Sequence, residues 1–524
     1  MYFVELACEY SFDEEIMRNF ANELSMLFEK YLADEDTTIK VCAVKAVTAF
    51  LANIEDNTFL KNFSAILPVL VKTLIQAVRT DEESGRATIE SIIDLMEFHP
   101  KFIKPIAEDL ITIFTDIIDA PLGDDVKAIS ITALATLSSV DEVTVRKSDT
   151  FLKKSIPVLL KTLMKVQDVD LQEWSKSLEE EAISKKDPQS CVQDALPKFA
   201  DALGTKFILM KMMPYLTQAL KSNDWKERYG GLMAISQVSE GSSKHFMNDL
   251  DNLLALIFPC FECNHPRVVN AALSTLALLC SEFAPTIQIK YHEIIMKYIF
   301  KFLQEESYLK IQCTAAASIT NFAAKIDEYE KEHKIMIRYA KDLLSILMKL
   351  FDKAINTNNY ILQEDVLNAI SIIAVGLDSG FADYYNIFMP GLKKLLVSIP
   401  GENEQQSKIR CLTIECIGHL VSSIREAPDM FISDLSQIFE LLISVQNSPK
   451  IAFDDPEQTS IINVFAYISD VLKDKFAPFL DQIFPRLADS LKTEVAIIIQ
   501  DVNNDKDEKD GKTKNILKVR SSDC

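Results

Sequence analysis

Apolar and polar positions follow one recurring order along the chain. Three segments show it most clearly: "SNDWKERYGGLMAISQVSEG" (222–241), "CNHPRVVNAALSTLALLCSEF" (263–283) and "ESYLKIQCTAAASITNFAAKID" (306–327). Each begins with a polar helix breaker and one or two basic or amide residues, continues with small and aliphatic residues at helical spacing, and ends in polar residues. The same order recurs in further segments that begin at Asp34, Asp81, Gly123, Asp187, Asn359, Gln406 and Asp455.

The spacing of these segments is mostly about 36 to 48 residues, which is the period of stacked helix pairs such as HEAT or armadillo repeats. Between them lie second helices that often contain proline, for example "FSAILPVLVKTLIQAV" and "YNIFMPGLKKLLVSI". One pair cannot bury its apolar face alone, so stacking of neighbouring pairs creates the core. The pattern predicts an all-α fold, an α-solenoid of about ten to twelve tandem HEAT-type helix pairs, with unrelated helical bundles as the alternative.

Individual residues support the helix pairs. Asp224 and Asn264 stand where a side chain can accept hydrogen bonds from the free N–H groups of a new helix. Small residues at helical spacing would let neighbouring helices approach closely, and they include Ala271, Ala272, Ala316 and Ala317.

Three regions are distinguished by their composition. We predict that residues 1–502 form the solenoid, that residues 164–187 form an acidic insertion loop within it, and that residues 503–524 form a polar, disordered tail. The insertion contains Asp168, Asp170, Glu173, Trp174, Glu179, Glu180 and Glu181, and an ordinary solvated loop is the alternative interpretation. A longer helix or loop is expected around "KIDEYEKEHKIMIRY".

Composition excludes several classes of protein. The formal net charge of −22, from 55 basic and 77 acidic residues, disfavours direct nucleic-acid binding and suits basic protein partners. The ten cysteines are scattered through apolar runs, as buried reduced thiols are in the cytosol or nucleus. The start "MYFVELACEYSFDEE" is not typical of a signal peptide, and no uninterrupted apolar run predicts membrane insertion.

The sequence offers little support for catalysis or a cofactor. It has no phosphate-binding loop, nucleophile elbow or zinc-protease motif, and its six histidines are dispersed. Cys260 and Cys263 have CxxC spacing with His265 close by, but no second pair of ligands follows. We therefore expect these cysteines to pack at a turn and the protein to need no cofactor or metal.

Five segments in the same order resemble a known family. They are "DWKERYGGLMAISQVSEG", "HPRVVNAALSTLALLCSEFAP", "AAASITNFAA", "YYNIFMPGLKKLL" and "TIECIGHL". The chain resembles the importin-β (karyopherin-β) superfamily of nuclear transport receptors over residues 20–491, and within it the importin β-3 type, which transports ribosomal proteins and histones. The resemblance implies partners: basic cargo with extended Lys/Arg-rich signals, FG-repeat nucleoporins and Ran·GTP. It also implies that the acidic insertion contacts Ran or competes with cargo.

Family members contain roughly twenty repeats, more than fit this chain. We therefore expect the first repeats and the C-terminal arch to be missing. In the family the first repeats form much of the Ran·GTP site, so this chain's binding of Ran·GTP is in question. The basic end "KTKNILKVR" would imitate an import signal if it folded back, and a free tail is the simpler interpretation.

The variable ends of the repeats are the candidate binding residues. If the second helix of each pair lines the inside of the solenoid, its C-terminal end faces the groove, where carboxylates would pair with Lys and Arg and an Asn would bind peptide backbone. The predicted cargo-binding residues are Ser239, Glu240, Ser281, Glu282, Asn321 and Asp378, with Asp194, Asp201 and Asp327 as weaker candidates. The alternative is that each is an ordinary solvated helix end.

The sequence thus predicts a non-enzymatic import receptor of the cytoplasm, the nucleus and the nuclear pore. It would bind basic nuclear-localisation signals on an acidic concave surface. The alternatives are a static HEAT-repeat scaffold and a chaperone that shields basic proteins without transporting them.

Overall fold

The structure is a computed structural model that describes residues 18–176, 187–239, 250–323, 330–446, 455–490, 494–498 and 516–520. The chain divides into two compact units, Met1–Ala324 and Lys325–Cys524. In both units the described residues are mainly α-helical.

Helices of the first unit follow one another in pairs. In chain order they are α1 (Ala21–Leu32), α2 (Thr37–Ala52), α3 (Asn57–Leu60), α4 (Leu67–Thr80), α5 (Glu82–Phe98), α6 (Pro100–Ile103), α7 (Ala107–Asp119), α8 (Asp124–Val140), α9 (Glu142–Lys147), α10 (Ile156–Leu163), α11 (Leu171–Lys176), α12 (Pro188–Leu203), α13 (Thr205–Lys221), α14 (Trp225–Ser239), α15 (Leu250–Ile257), α16 (Pro266–Glu282), α17 (Thr286–Leu303) and α18 (Leu309–Phe322). Short 3₁₀ turns lie at Lys61–Ile66, Lys104–Ile106 and Phe258–Glu262, and a π-helical turn lies at Phe151–Ser155.

The long helices of this unit form two layers. The second-layer helices pack side by side in the order α2, α5, α8, α12, α14, α16 and α18. The first-layer helix of each pair covers its second-layer partner: α1, α4, α7, α10, α13, α15 with its 3₁₀ extension, and α17. The apolar side chains between the layers are buried, among them Phe50, Phe114, Phe199 and Phe283. Stacking of pairs therefore creates one continuous core, as predicted.

The second unit repeats this arrangement. Its helices are α19 (Glu330–Asn356), α20 (Tyr360–Leu377), α21 (Ala382–Ser398), α22 (Glu404–Ser423), α23 (Asp429–Gln446), α24 (Pro456–Leu472) and α25 (Leu480–Ser490), with 3₁₀ turns at Asp378–Phe381 and Lys473–Phe479. The second layer is α20, α22 and α24. The 27-residue α19 confirms the longer helix expected there. With these pairs the described residues confirm the predicted all-α solenoid.

Most of the described second-layer helices begin where a short polar side chain caps them. Asp81, Asp187, Asn359 and Asn403 each accept a hydrogen bond from a backbone N–H in the first turn of the helix that follows. Asp224 accepts from the N–H of Lys226 at 2.9 Å, so its predicted capping role is confirmed. Each such cap stabilises a helix by about 1 kcal/mol.

The prediction for Asn264 is wrong. The residue before α16 is His265, which makes no side-chain capping bond, and the helix starts with Pro266. Proline has no N–H to satisfy and its fixed φ suits the first helical position, so this helix starts without a polar cap.

A glutamine near the start of four second-layer helices has a structural role. The side-chain amides of Gln189, Gln312, Gln363 and Gln458 donate to carbonyls at the end of the preceding first-layer helix, those of Leu163, Leu303, Ala354 and Gln446. These carbonyls have no partner within their own helix, and leaving them buried and unpaired would cost free energy. The recurring glutamine therefore joins the two helices of a pair.

A short β-ribbon departs from the predicted fold. Strand β1 (Glu494–Ile498) pairs antiparallel with β2 (Ile516–Arg520), with Ala496 opposite Lys518. Strand β1 lies within residues 1–502, for which we predicted the solenoid, and β2 lies within residues 503–524, for which we predicted the tail. The sequences "EVAII" and "ILKVR" are rich in β-branched and aliphatic residues, which favour strands. The other residues of 503–524 lie outside the described ranges.

Two helical stretches, Asn57–Thr80 and Tyr360–Ser398, are long and apolar enough to cross a membrane by length and composition alone. Within their most apolar windows 44% and 50% of the residues are buried inside the structure. Core helices of this kind pass the same test, so the two stretches are weak evidence for a membrane segment.

Candidate functional site

Three neighbouring second-layer helices, α14, α16 and α18, run parallel. The ring of Trp225 at the start of α14 stacks on that of His265 at the start of α16, with 3.8 Å between centroids. At the other end, one glutamine of α17 contacts the last turns of both α16 and α18. Their C-terminal ends therefore lie along one edge of the layer, continued by the end of the adjacent α12.

We call this the C-terminal edge, defined by Asp201, Ser239, Ser281, Glu282 and Asn321. Asp201 is exposed, and Ser281, Glu282 and Asn321 are half-buried, so their side chains reach the surface. The amide nitrogen of Asn321 donates to the carbonyl of Ala317 at 3.3 Å. An amide offers two donors and an acceptor, so this bond uses only part of its capacity.

Hydrogen bonds between helices fix the layer. The hydroxyl of Thr275 on α16 donates to the carbonyl of Leu232 on α14 at 3.2 Å, and the hydroxyl of Thr314 on α18 donates to Asn270 at 2.8 Å. Gln288, which is fully buried, donates to the carbonyls of Cys280 at 3.0 Å and Phe322 at 2.9 Å. The spacing between the ends of α16 and α18 is therefore set by a buried amide.

Ser239 does not reach the surface. Its side chain is 1% exposed, so it packs inside the layer and cannot contact a ligand in the groove as we predicted. Serine is small enough for such a position, whereas the last residue of a helix is usually solvated.

Of the remaining candidates, Asp194 lies away from this edge. Asp194 is exposed in the middle of α12, about two turns before its end. Asp378 is exposed after α20, with φ of +45°, and belongs to the second unit. Glu240 and Asp327 lie outside the described residues.

The edge is suited to cations. Unpaired carbonyls and the helix macrodipole give each helix C-terminus about half a negative charge, and several parallel helices add their fields. The carboxylates of Asp201 and Glu282 increase that negative potential. A Lys or Arg side chain would find both carboxylate and carbonyl acceptors there.

The acidic insertion lies on the opposite edge. Its described part, residues 165–176, leaves α10, crosses the N-terminal ends of α14 and α16 and ends as α11 against α18. The backbone carbonyl of Gln167 accepts from Arg267 at 3.0 Å, and the carboxylate of Asp168 lies 2.9 Å from the ammonium of Lys226. We call residues 167–176 the strap.

The far end of the strap is docked. Trp174 is 6% exposed, and the ammonium of Lys310 lies 5.4 Å from its ring centroid. Asp170 caps α11 by accepting from the N–H groups of Gln172 and Glu173. The insertion is therefore anchored at Trp174, whereas residues 167–170 are exposed to solvent. Glu179, Glu180 and Glu181 lie outside the described residues.

The candidate metal motif serves packing. His265 stacks on Trp225, and burial, followed by the charge of Arg267, lowers the pKa of its imidazole. Burial raises the pKa of the Cys260 thiol to about 11, which keeps it protonated. The described residues contain no cluster of three or more metal-ligating side chains.

Sequence reasoning missed Gln288, Arg267 and the anchoring of Trp174. Gln288 lies on the otherwise apolar face of α17, and a polar residue at such a position is the signal that could have found it. Arg267 belongs to a repeat motif, but it donates to a carbonyl 100 residues away instead of to its own pair.

Known proteins resemble this chain over most of its length. Family models match residues 12–113 (IPO5-like, TPR repeats), 113–312 (stalled ribosome sensor GCN1-like, HEAT repeats) and 311–497 (importin subunit beta-1-like, TPR repeats). Importin subunit beta-3 of Saccharomyces cerevisiae is 25% identical over 477 residues, which covers 89% of this chain and 42% of the relative. The probable importin-5 homolog of Dictyostelium discoideum is 22% identical and covers 93% of this chain.

The chain is thus similar to importins of the importin-β family over most of its length.

Solved structures agree on the fold. The crystal structure of Kap121p matches it with a TM-score of 0.79 at 22% identity, covering 92% of this chain and 45% of Kap121p. Kap121p has also been crystallised with Pho4p and with Nup53p. The chain spans less than half the length of these relatives.

Proposed function

We propose that the chain acts as a nuclear transport receptor that binds an extended basic segment of its cargo along the C-terminal edge. One observation supports this most: the buried amide of Gln288 joins the ends of the parallel helices α16 and α18, which carry Glu282 and Asn321, and Asp201 near the end of α12 continues the same edge. An extended peptide can follow such a row because its alternate side chains meet successive helices.

The charges at the edge set the chemistry of the ligand. Glu282 and Asp201 would pair with Lys or Arg side chains, and the amide of Asn321 would hydrogen-bond the peptide backbone. We extend the set to Glu240, which follows the last residue of α14 in the sequence. Ribosomal proteins and histones contain extended basic segments of this kind and are the proposed cargo class.

Transport also requires contact with the pore. Since Kap121p has been crystallised with Nup53p, we propose that this chain contacts nucleoporins with FG repeats and moves between cytoplasm and nucleus. Ran·GTP-linked cargo release is part of the same proposal. Retention on immobilised FG-repeat peptide would support a receptor, whereas binding of basic peptide alone would indicate a scaffold or a chaperone.

Charge reversal tests the binding edge. A fluorescent Lys/Arg-rich peptide is titrated at about 0.05 M salt, where charge pairs are least screened. We expect Glu240→Lys with Glu282→Lys to weaken binding by about 10- to 100-fold, because two attractive contacts become repulsive.

The matched control is Asp109→Lys with Asp116→Lys. Both residues are exposed on the first-layer helix α7, and the change in net charge is the same. We expect this control to weaken binding at most about twofold, by long-range charge alone. Equal losses in the two variants would contradict a specific edge.

A further inference from the structure

The strap connects repeats that are not neighbours. It leaves α10, in the fourth helix pair of the described first unit, and its Trp174 end docks on α18 in the seventh. In a solenoid each pair normally contacts only the pairs beside it, so small rotations between pairs add up to a flexible whole. The strap crosses and contacts the two intervening pairs, and would oppose such rotations.

Two buried side chains are its principal anchors. Arg267 is 4% exposed, and its guanidinium donates to the Gln167 carbonyl while lying 5.4 Å from the centroid of the Trp225 ring. Trp174 is 6% exposed at the other end of the strap. The ion pair of Asp168 with Lys226 is more exposed, at 78% and 29%, and solvent-screened pairs of this kind contribute little.

The strap and the C-terminal edge lie at opposite ends of the same helices. The strap crosses the starts of α14, α16 and α18, whereas Gln288 joins the ends of α16 and α18. A helix of 15 residues such as α14 is about 22 Å long, so the strap cannot contact a peptide at the edge directly. Any influence of the strap on that peptide must pass through the helix positions.

We propose that the strap is a brace that fixes the spacing of α14, α16 and α18, and that Trp174 and Arg267 are positioning residues for the basic segment bound at the C-terminal edge. This inference rests on the proposed function. It assigns the first part of the acidic insertion a mechanical role, distinct from direct contact with cargo.

The test compares Trp174→Ala with Trp174→Phe in the full chain. Amide hydrogen exchange is followed in the second turns of α16 and α18, where the N–H groups are hydrogen-bonded within the helix, and affinity is measured for the same Lys/Arg-rich peptide. We expect Trp174→Ala to speed exchange there by about tenfold and to weaken peptide binding by about fivefold. Trp174→Phe should restore most of both, because an aromatic ring still fills the site.

Two further variants complete the design. Asp168→Asn removes only the exposed ion pair and should change neither readout. Arg267→Lys keeps the positive charge but loses the guanidinium geometry, and it replaces Trp174→Ala if that variant fails to fold. We expect it to act in the same direction.

Unchanged exchange, or faster exchange with unchanged peptide affinity, would overturn the proposal. Failure of the proposed function would look different, since Glu240→Lys with Glu282→Lys would then leave peptide binding intact. In that case the exchange data alone would still show whether the strap braces the helices.

Discussion

At the residue scale, a buried ion pair of Arg410 and Glu457 joins α22 and α24. Their side chains are 9% and 1% exposed. The Nε of Arg410 donates to Glu457 at 2.9 Å, its Nη1 donates to the carbonyl of Pro400, and Ser407 also donates to Glu457. All the polar atoms of the pair thus face partners, a condition for such a pair to be tolerated.

Removing one partner should be far worse than removing both. We expect Arg410→Met to destabilise the contact between α22 and α24 by about 3–5 kcal/mol, since Glu457 is left buried without a countercharge. Arg410→Met with Glu457→Leu should recover most of the loss. Native-state hydrogen exchange of amides in α22 and α24 measures both, and equal destabilisation of the single and double variants would refute this reasoning.

Residue roles could be predicted from the sequence only in part. The repeat pattern located Ser281, Glu282 and Asn321 at helix ends, and they lie together at the C-terminal edge. It could not show that Ser239 is buried, because burial of a helix end depends on the chain packed over it. Gln288 was missed for the same reason: its partners, at Cys280 and Phe322, come from two different helices.

At the element scale, the parallel second-layer helices give the layer two unlike edges. The N-terminal edge has a positive potential from the helix starts and from Lys226, Arg267 and Lys310, and the acidic strap lies there. The C-terminal edge has the opposite potential. The separation of acidic strap and proposed basic ligand therefore follows from the direction of the helices.

Gly230 lets α14 pack closely against Met164, the residue that follows α10 and precedes the strap. A β-carbon at this position would lie 2.7 Å from the Cγ of Met164 and 3.1 Å from its backbone nitrogen, so α14 approaches the end of α10 closely. Overpacking of this kind typically costs 1–3 kcal/mol, of which alanine regains about 1 through helix propensity.

We therefore expect Gly230→Ala to lower stability by about 1 kcal/mol and to speed tryptic cleavage after Lys165, which is exposed between α10 and the strap. The matched control is Gly231→Ala, whose nearest contact is the terminal Cδ2 of Leu220 at 3.2 Å, an atom that can move. Faster cleavage in Gly231→Ala than in Gly230→Ala would contradict this account.

Helix boundaries could be predicted where a capping residue marks them, and the predictions were wrong where the helix starts in another way. Asp224 before α14 was recognisable as a capping residue, and the structure confirms it. Asn264 has the same chemistry, but Pro266 starts α16 without a capping bond. The ribbon of β1 and β2 joins segments too short for sequence periodicity, and their pairing depends on a contact across the intervening residues.

At the scale of the whole molecule, the repeat period of the sequence predicted the solenoid because every helix pair buries its apolar face against the neighbouring pairs in the same way. The chemistry of the C-terminal edge depends on the few positions that vary from repeat to repeat, such as Glu282 and Asn321. The repeat period could not predict the strap, because the contact between Gln167 and Arg267 joins helix pairs that are not neighbours in the sequence.

The central claim is that a basic segment lies against Glu282 and its neighbours at the C-terminal edge. A double-mutant cycle tests it most directly: Glu282→Gln is combined with replacement of each lysine of the bound peptide by norleucine, and affinities are measured for all four combinations. We predict a coupling energy of about 1 kcal/mol for one lysine position and none for the control Asp109→Asn. If no lysine couples to Glu282 by more than about 0.3 kcal/mol, the peptide does not bind at this edge and the account is contradicted.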